Sequence, residues 1–490
     1  MATLDELLDA VMAAPAGPQV AAFFDYDGTV IDGFSAGAFY RHRIRHGEIG
    51  PRELVRTLLA SATGIDSPEK FEGFLDMALA AWAGRSEQEM EELGEKLFKH
   101  EISGRLHWEV WRLAQAHHAM GHRVVLASSA TRFQVAPMAR ELDADDVLCT
   151  PTEVVDGIVT GRTAGPVLWG PGKARAARAL AGEHELDLDE CFAYSNGTED
   201  IPFLEVAGRP VCVDPEDGLA AEAGKRGWPV LRCEPRPSIP GARNVARTVG
   251  FYSSMAAAGW AGLGVGLLRG SRRALVDVAG GVGADLGLAV AGIDVKIVSG
   301  AEHLWSSRPC VFVFNHQSKL DTIVVMKLLR EDFTGVAKKE AANVPGFGQL
   351  FRLAGVAFVD RADSRKARAA LAPAVDKLRS DGLSLVLAPE GTRSSTPKLG
   401  PFKKGAFHIA MQAEVPVVPI VMRNVGEVMW RGSQTLRPGT IEVCVLPPVD
   451  TSDWQAKTVG EHADEVRQMF VHTLENWPTD THTREQELTP

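Results

Sequence analysis

Hydrophobic positions along this chain fall into two alternating patterns. Short, uninterrupted apolar runs occur at Val20–Phe24, Val124–Ala127, Phe192–Tyr194 and Pro210–Val213. Between them lie longer segments whose apolar positions recur at helical spacing. A strand buried on both faces needs a continuous run, so residues 20 to about 233 are expected to form an α/β unit around a parallel sheet. Residues 34 to about 120 lack such runs and read as amphipathic helices, a helical insertion after the first strand. The alternation returns from Pro309 onward, with runs at Cys310–Phe314, Ser384–Ala388, Val415–Val421 and Thr440–Leu446. A second α/β unit is expected there.

What lies between the units differs from both. Cys233–Gly241 holds three prolines and a glycine in nine residues, the composition of a linker. Taking the linker as 234–241 leaves one domain over 1–233 and another over 242–478. Val249–Leu268 is twenty residues without a charge, flanked by Arg247 and Arg269. A second apolar segment, Val276–Val295, is interrupted by Asp277, Asp285 and Asp294. The length of the first suffices to span a bilayer, but its Gly, Ala and Ser content makes insertion marginal. Helices over 249–295 in shallow contact with one leaflet are the expectation. Gly262 and Gly264 nearly spell a dinucleotide loop, yet no strand precedes them and the third glycine is missing, which points to close helix packing. From Thr479 the chain is polar, and 479–490 is expected to be disordered.

Composition narrows the setting. At 490 residues with 45% apolar and 23% charged residues, the chain suits a soluble protein of two or three domains. The net charge of -11 hides an asymmetry, because residues 243–450 carry 26 Lys and Arg against 17 Asp and Glu. That half suits anionic partners such as coenzyme A, lipid phosphates or an anionic membrane surface. Its cations are scattered, and no nucleic-acid partner is expected. The six cysteines form no CxxC pair; Cys149, Cys212, Cys310 and Cys444 sit in or beside apolar runs and read as buried free thiols. A reducing cytoplasm follows. The first fifteen residues carry acids and no basic stretch, so no signal peptide is read there.

The first apolar run ends in Asp25-Tyr26-Asp27-Gly28-Thr29. An aspartate at the carboxyl end of a buried parallel strand stands where open α/β sheets place their ligands. Asp25 can act as a nucleophile toward a phosphoryl group, and Asp27 can protonate the leaving oxygen and later activate water. The segment resembles the first motif of haloacid dehalogenase superfamily phosphatases. Ser128, Lys173 in Gly170-Pro-Gly-Lys, and Tyr194-Ser-Asn-Gly-Thr-Glu-Asp200 resemble the other three motifs, in order. The resemblance, over about residues 20 to 235, implies a Rossmann-like fold with a helical cap of the phosphoserine phosphatase type. It further implies that Ser128 and Lys173 bind the phosphoryl group, and that Mg²⁺ is held by Asp25, the Asp27 carbonyl, Asn196 and Asp200. Asn196 stands where the family has an aspartate, which should weaken Mg²⁺ binding.

The second chemistry begins where Val311–Phe314 runs into Asn315-His316, with Asp321 five residues past the histidine. A histidine oriented by a carboxylate can act as general base for an alcohol attacking a thioester. At about 100° per residue the two would stand roughly 140° apart on a regular helix, so a hydrogen bond needs an irregular turn. Asn315-His-Gln-Ser-Lys-Leu-Asp321 resembles the first motif of lysophosphatidic acid acyltransferases and related glycerophospholipid acyltransferases. Gly355–Arg361, Pro389-Glu-Gly-Thr-Arg393 and Val415-Pro-Val-Val-Pro-Ile420 resemble the second, third and fourth. The resemblance covers about residues 245 to 455 and implies an α/β glycerophospholipid acyltransferase fold. Arg361, Glu390, Gly391, Thr392 and Arg393 would then bind the glycerol-phosphate part of the acceptor, with Lys338, Lys339 and Phe402-Lys-Lys-Gly405 offering further cations. Acyl-CoA is the implied co-substrate, with direct transfer and no acyl-enzyme.

The joint expectation is a bifunctional enzyme of phospholipid synthesis at the inner face of the cell membrane. It would acylate lysophosphatidate and hydrolyse a phosphomonoester. The alternative, favoured by Asn196, is an acyltransferase with a catalytically degenerate phosphatase-like module that docks or regulates.

Overall fold

The computed structural model describes residues 1–50, 67–234, 241–344, 346–359, 375–376, 378–430 and 433–478. The chain divides into two compact units, Met1–Pro237 and Ser238–Pro490.

The first unit is built on a six-stranded sheet. Its strands are β1 (Ala21–Asp25), β2 (Arg123–Thr131), β3 (Asp146–Thr150), β6 (Phe192–Ser195), β7 (Arg209–Val213) and β8 (Val230–Leu231), in the order β3-β2-β1-β6-β7-β8. Every pairing is parallel. All five residues of β1 are buried, as a central strand covered on both faces demands. The order runs outward in both directions from β1 and β6. The carboxyl ends of those two strands are therefore a topological switch point, where a crevice opens. Asp25 lies there, in register with Ala127 of β2, while Phe24 pairs with Tyr194 of β6. Stacked rings of Phe24 and Tyr194, 4.5 Å apart, fix that register from the core side.

The insertion after β1 holds helices Ala36–Arg45, Pro68–Ala80 and Glu87–Leu97. The first two of these flank residues 51–66, which are outside the described residues. The next helix, Trp108–Ala119, packs on the N-terminal helix Leu4–Met12 and on β2, so it belongs to the layer covering the sheet. A hairpin of β4 (Thr152–Val155) and β5 (Ile158–Thr163) packs against Pro68–Ala80. The sequence pattern did not predict it, because these strands are short and only partly buried.

The second unit carries a seven-stranded sheet. Its strands are β9 (Ile293–Ser299), β10 (Val311–Phe314), β11 (Phe333–Lys338), β12 (Ala357–Val359), β13 (Ser384–Leu387), β14 (Val417–Arg423) and β15 (Gly439–Val445). Their order is β12-β11-β13-β10-β14-β15-β9. Only the β14–β15 pairing among those described is antiparallel. The buried run VFVF of β10 pairs with β13 on one side and β14 on the other. The segments that follow β10 and β13 thus meet at one edge of the sheet.

Two apolar helices, Ala242–Arg269 and Arg272–Ala291, precede the sheet and form a hairpin closed by Gly270 at φ 60°. A Cβ on Gly262 would stand 2.7 Å from the Leu275 carbonyl oxygen, and one on Gly266 2.7 Å from the Leu275 Cβ. Close helix approach therefore explains Gly262, whereas Gly264 faces open space. The second helix ends at Ala291, before the expected Val295. Gly292 takes a left-handed cap, and Ile293–Ser299 continues as β9, whose alternating burial suits a strand with one wet face. Both helices are long and apolar enough to cross a membrane by length and composition. Trp260, Leu267 and Leu268 are 74%, 76% and 90% exposed.

Candidate functional site

In the first unit, β1 delivers Asp25 into a buried cluster of charges. The Lys173 ammonium, from the first turn of helix Pro171–Glu183, lies 2.7 Å from Asp25 Oδ1 and 2.5 Å from Asp200 Oδ2. Thr29 donates its hydroxyl to Asp25 Oδ2 at 3.0 Å and contacts Asn196 Oδ1 at 3.2 Å. Ser195 donates to Asp200 Oδ2 at 2.7 Å. Burial pushes the Asp25 carboxyl up to about 6, with Lys173 pulling it down and Asp200 pushing it up. Burial alone would lower the Lys173 ammonium; Asp200 and Asp25 more than offset this and raise it. One lysine therefore holds two carboxylates together, as a phosphoryl-binding centre requires.

Asp27 is held differently. The Ser35 amide donates to its Oδ1 at 2.6 Å and the Ser35 hydroxyl to its Oδ2 at 3.1 Å. Burial pushes its carboxyl up to about 7, against those bonds and with help from Asp25. The two aspartates thus have different partners: Asp25 faces Lys173 and Thr29, and Asp27 faces Ser35. Gly28, at φ 81°, packs on the Asn196 amide; a Cβ there would stand 2.2 Å from Asn196 Nδ2. Only glycine fits this turn. Ser128 is buried, and its hydroxyl accepts from the Ala130 amide at 3.1 Å.

The expected Mg²⁺ ligands can be tested against this geometry. Asp200 Oδ1 is buried without a hydrogen-bond partner among the described residues. Asp25 and Asp200 put two carboxylates around one lysine, and Glu199 beside them is pushed up to about 7 by burial and by Asp200. An orphaned oxygen and surplus negative charge fit a hard divalent cation. Asn196 adds only a neutral oxygen to that set.

In the second unit, the turn after β10 solves the spacing problem posed by His316 and Asp321. Asp321 opens helix Asp321–Leu329 and is fully buried. Its Oδ2 lies 2.7 Å from His316 Nδ1 and accepts the Gln317 and Ser318 amides at 2.8 and 2.9 Å. A carboxylate oxygen only accepts, so Nδ1 carries the proton and Nε2 is the basic nitrogen. Asn315 anchors the turn: its side chain donates to the Met422 carbonyl and accepts the Met422 amide, both at 2.8 Å.

Glu390, after β13, lies behind this turn. Its Oε1 accepts the His316 amide at 2.7 Å; its Oε2 accepts the Ser394 hydroxyl at 2.5 Å and the Gly400 amide at 3.0 Å. Burial raises its pKa despite these bonds. The structure thus spends the Glu390 carboxylate on protein groups rather than leaving it toward an acceptor. Gly391 turns at φ 73° under the Lys403 side chain, whose Cδ would be 2.9 Å from a Cβ there. Thr392 is exposed and Arg393 partly so. Lys319 has its pKa lowered by burial and by Arg393, which places the two cations near each other. Lys338 ends β11 and pairs with Glu340 at 3.2 Å, while Lys404 approaches Gly460. Arg361 lies outside the described residues. Beside Phe314, two residues before the histidine, an apolar cavity of about 110 Å³ is lined by Val276, Val325, Met326, Phe351 and Leu387 among others.

Sequence reasoning missed Thr29, Ser35 and Ser195, which hold the three aspartates, and Ser394 and Gly400, which hold Glu390. Thr29, Ser195 and Ser394 stood inside or beside a recognised motif; Ser35 and Gly400 did not.

The two sites define a chain of two α/β domains, one with a parallel sheet and a carboxylate–lysine centre and one with a mixed sheet and a histidine–carboxylate pair. Residues 22–205 match the family of haloacid dehalogenase-like hydrolases and residues 296–423 the acyltransferase family, so the chain carries one domain of each kind. It is 36% identical over 183 residues to a 1-acyl-sn-glycerol-3-phosphate acyltransferase of Limnanthes douglasii, covering 37% of this chain and 64% of that protein. It is 35% identical over 221 residues to the inhibition of morphological differentiation protein of Streptomyces azureus, covering 44% of this chain and 78% of that one. Among solved structures, the 1-acyl-sn-glycerophosphate (LPA) acyltransferase PlsC of Thermotoga maritima aligns with a TM-score of 0.42 at 26% identity, covering 48% of this chain and 98% of that chain. The chain spans 60% to 66% of the length of the first curated acyltransferases that it matches.

Proposed function

We propose that the second unit transfers an acyl group from acyl-CoA to lysophosphatidate, giving phosphatidate, and that the first unit hydrolyses a phosphomonoester. The observation that carries the first half is the His316–Asp321 pair, with Nδ1 committed to the carboxylate and Nε2 left as base. Nε2 takes the proton from the acceptor hydroxyl as its oxygen attacks the thioester carbonyl. The tetrahedral adduct collapses, the carbon–sulfur bond breaks, and the coenzyme A thiolate takes the proton from Nε2. Arg393 and Lys319 supply positive charge for the acceptor phosphate, and Arg361 is assigned the same role. Gly391 and Thr392 shape the loop beside them, and Glu390 holds the backbone of His316 in place. The apolar cavity beside Phe314 suits the start of an acyl chain.

In the first unit, Asp25 attacks phosphorus while Asp27, whose carboxyl burial pushes up, gives its proton to the leaving oxygen. Asp27 then takes a proton from the water that hydrolyses the aspartyl phosphate. Lys173 and Ser128 hold the phosphoryl oxygens. Asp25, the Asp27 carbonyl, Asn196 and Asp200 would hold Mg²⁺, which when bound offsets the negative charge shared by nucleophile and phosphate. A second reading, that this unit is a docking or regulatory module without activity, is favoured by the neutral Asn196.

The exposed apolar face around Trp260, Leu267 and Leu268 supports a peripheral seat on a membrane surface, and the use of acyl-CoA would put that seat on the inner face of the cell membrane. Incubation of the purified chain with labelled acyl-CoA, lysophosphatidate and an aryl phosphate, with and without Mg²⁺, tests the whole reading. Labelled phosphatidate is expected in both arms. Failure to form it would sink the acyltransferase assignment, and an aryl phosphate left intact in the Mg²⁺ arm would favour the docking module.

A further inference from the structure

A second cluster of ligand-type side chains lies at the same sheet edge as Asp25 but on the outer strands. Asp214 follows β7 and Cys233 follows β8, and the parallel pairing of those strands sets the two side by side. His107, buried at 4% exposure, caps helix Trp108–Ala119 beside them. One ligand atom from each of His107, Asp214 and Cys233 lies within 4.8 Å of the others. His107 Nδ1 stands 3.9 Å from Asp214 Oδ2. Residues 107 and 233 are far apart in sequence, so no local motif announces the site.

Two further observations bear on it. Asp214 sits at φ 42°, a left-handed conformation unusual for a non-glycine residue, and both its carboxylate oxygens meet the Cys233 amide at 3.3 and 3.2 Å. The Asp214 carboxylate is thus held on the Cys233 backbone amide, next to the residue that carries the thiol. Glu109 lies on the other side, its Oε1 accepting the Glu234 amide at 2.9 Å. Arg232, 3.7 Å from Asp214 and about half exposed, is the nearby cation. A buried thiol and imidazole facing two carboxylates form a pocket that a divalent cation would neutralise.

We propose that His107, Asp214 and Cys233, with Glu109 or water completing the set, form a zinc site separate from the Mg²⁺ ligands. Mixed nitrogen, sulfur and oxygen donors suit Zn²⁺, whereas Mg²⁺ takes oxygen alone. Binding replaces the thiol proton, which leaves to solvent, by a zinc–sulfur bond. The site ties the end of β8 to the first turn of helix Trp108–Ala119. The His107 amide also donates to the Val30 carbonyl at 2.9 Å, so the same tie steadies the loop that follows Asp27.

The test uses the untagged full chain, stripped with chelator and reloaded in excess Mg²⁺ to occupy the other site. One zinc per chain is expected by elemental analysis. With Co²⁺ in place of Zn²⁺, a thiolate-to-cobalt charge-transfer band is expected in the near ultraviolet. The band should vanish in Cys233→Ser, weaken in His107→Gln and persist in Cys149→Ser, with circular dichroism confirming the fold of each. A wild-type chain that retains no zinc, or that binds Co²⁺ without a thiolate band, overturns the proposal without recourse to any variant. A band that survives Cys233→Ser overturns it equally.

Discussion

Replacing Asp321 by asparagine isolates what the carboxylate charge contributes to acyl transfer. In the serine-protease triad that change turns the amide NH₂ toward the ring and gives the wrong tautomer, at a cost of about 10⁴ in rate. Here the turn forbids the flip. Asp321 Oδ2 receives the Gln317 and Ser318 amides as well as the imidazole, so an NH₂ group in that place would face two N–H donors. Asparagine must put its carbonyl oxygen there, and His316 keeps its proton on Nδ1. What is lost is the difference between a charge-assisted bond of about 1.5–3 kcal/mol and a neutral one of about 0.5–1.5 kcal/mol. The loss of about 1–2 kcal/mol converts to a fall of about 5- to 30-fold in kcat. The displaced NH₂ takes the position of Oδ1, which is buried without a hydrogen-bond partner among the described residues, so a stability loss of about 1–3 kcal/mol accompanies it. Initial rates of phosphatidate formation from saturating acyl-CoA, set beside Asp321→Ala, read both effects. Asp321→Ala should be much slower, because the ring then loses its orientation. If the asparagine variant is as slow as the alanine variant, the locked-tautomer argument fails; if neither is slowed, the pair has no part in the reaction.

Asn196→Asp should tighten Mg²⁺ in the first unit by restoring a hard anionic ligand, and an unchanged metal titration of aryl phosphate hydrolysis would count against that. Glu390→Gln should leave the acceptor KM nearly unchanged while lowering kcat. It should also destabilise the second unit by about 2–4 kcal/mol, since the new NH₂ opposes the Gly400 amide and three charge-assisted bonds become neutral or are lost. A raised KM with unchanged stability to urea would instead return Glu390 to a substrate-binding role. Changing Leu267 and Leu268 together to glutamate should release the protein from anionic vesicles in a sedimentation assay. Burying both leucines is worth about 3 kcal/mol or more, a factor of about 100 or more in partition. Retention on the vesicles would show that the hairpin face is not the membrane contact.

The parts of this molecule legible in the sequence are those that hydrophobic burial dictates. β1, β10 and β13 are short apolar runs because parallel strands between helix layers expose neither face; β1 ends at Asp25, β10 leads into His316 and β13 leads into Glu390. Asp25 and His316 could be named because they stand at the ends of such runs, whereas Lys173, Asp200 and Asp321 are legible through the family motifs that their segments resemble. The partly buried strands β3, β4, β5, β9 and β11 escaped, since one-sided burial leaves only a weak alternation. The role of Glu390 escaped because it depends on β13 lying next to β10, which a linear pattern does not show. Thr29 and Ser35 are ordinary polar residues until the turn after β1 folds them back onto Asp25 and Asp27. His107 and Cys233 meet only through helix and sheet placement.

The account rests on Nε2 of His316 as the base in acyl transfer. Its most direct test is the rate of labelled phosphatidate formation by His316→Ala, with aryl phosphate hydrolysis measured on the same preparation. Acyl transfer falling to background while hydrolysis stays at the wild-type rate is the predicted result. Phosphatidate still forming at a rate near wild type would contradict it.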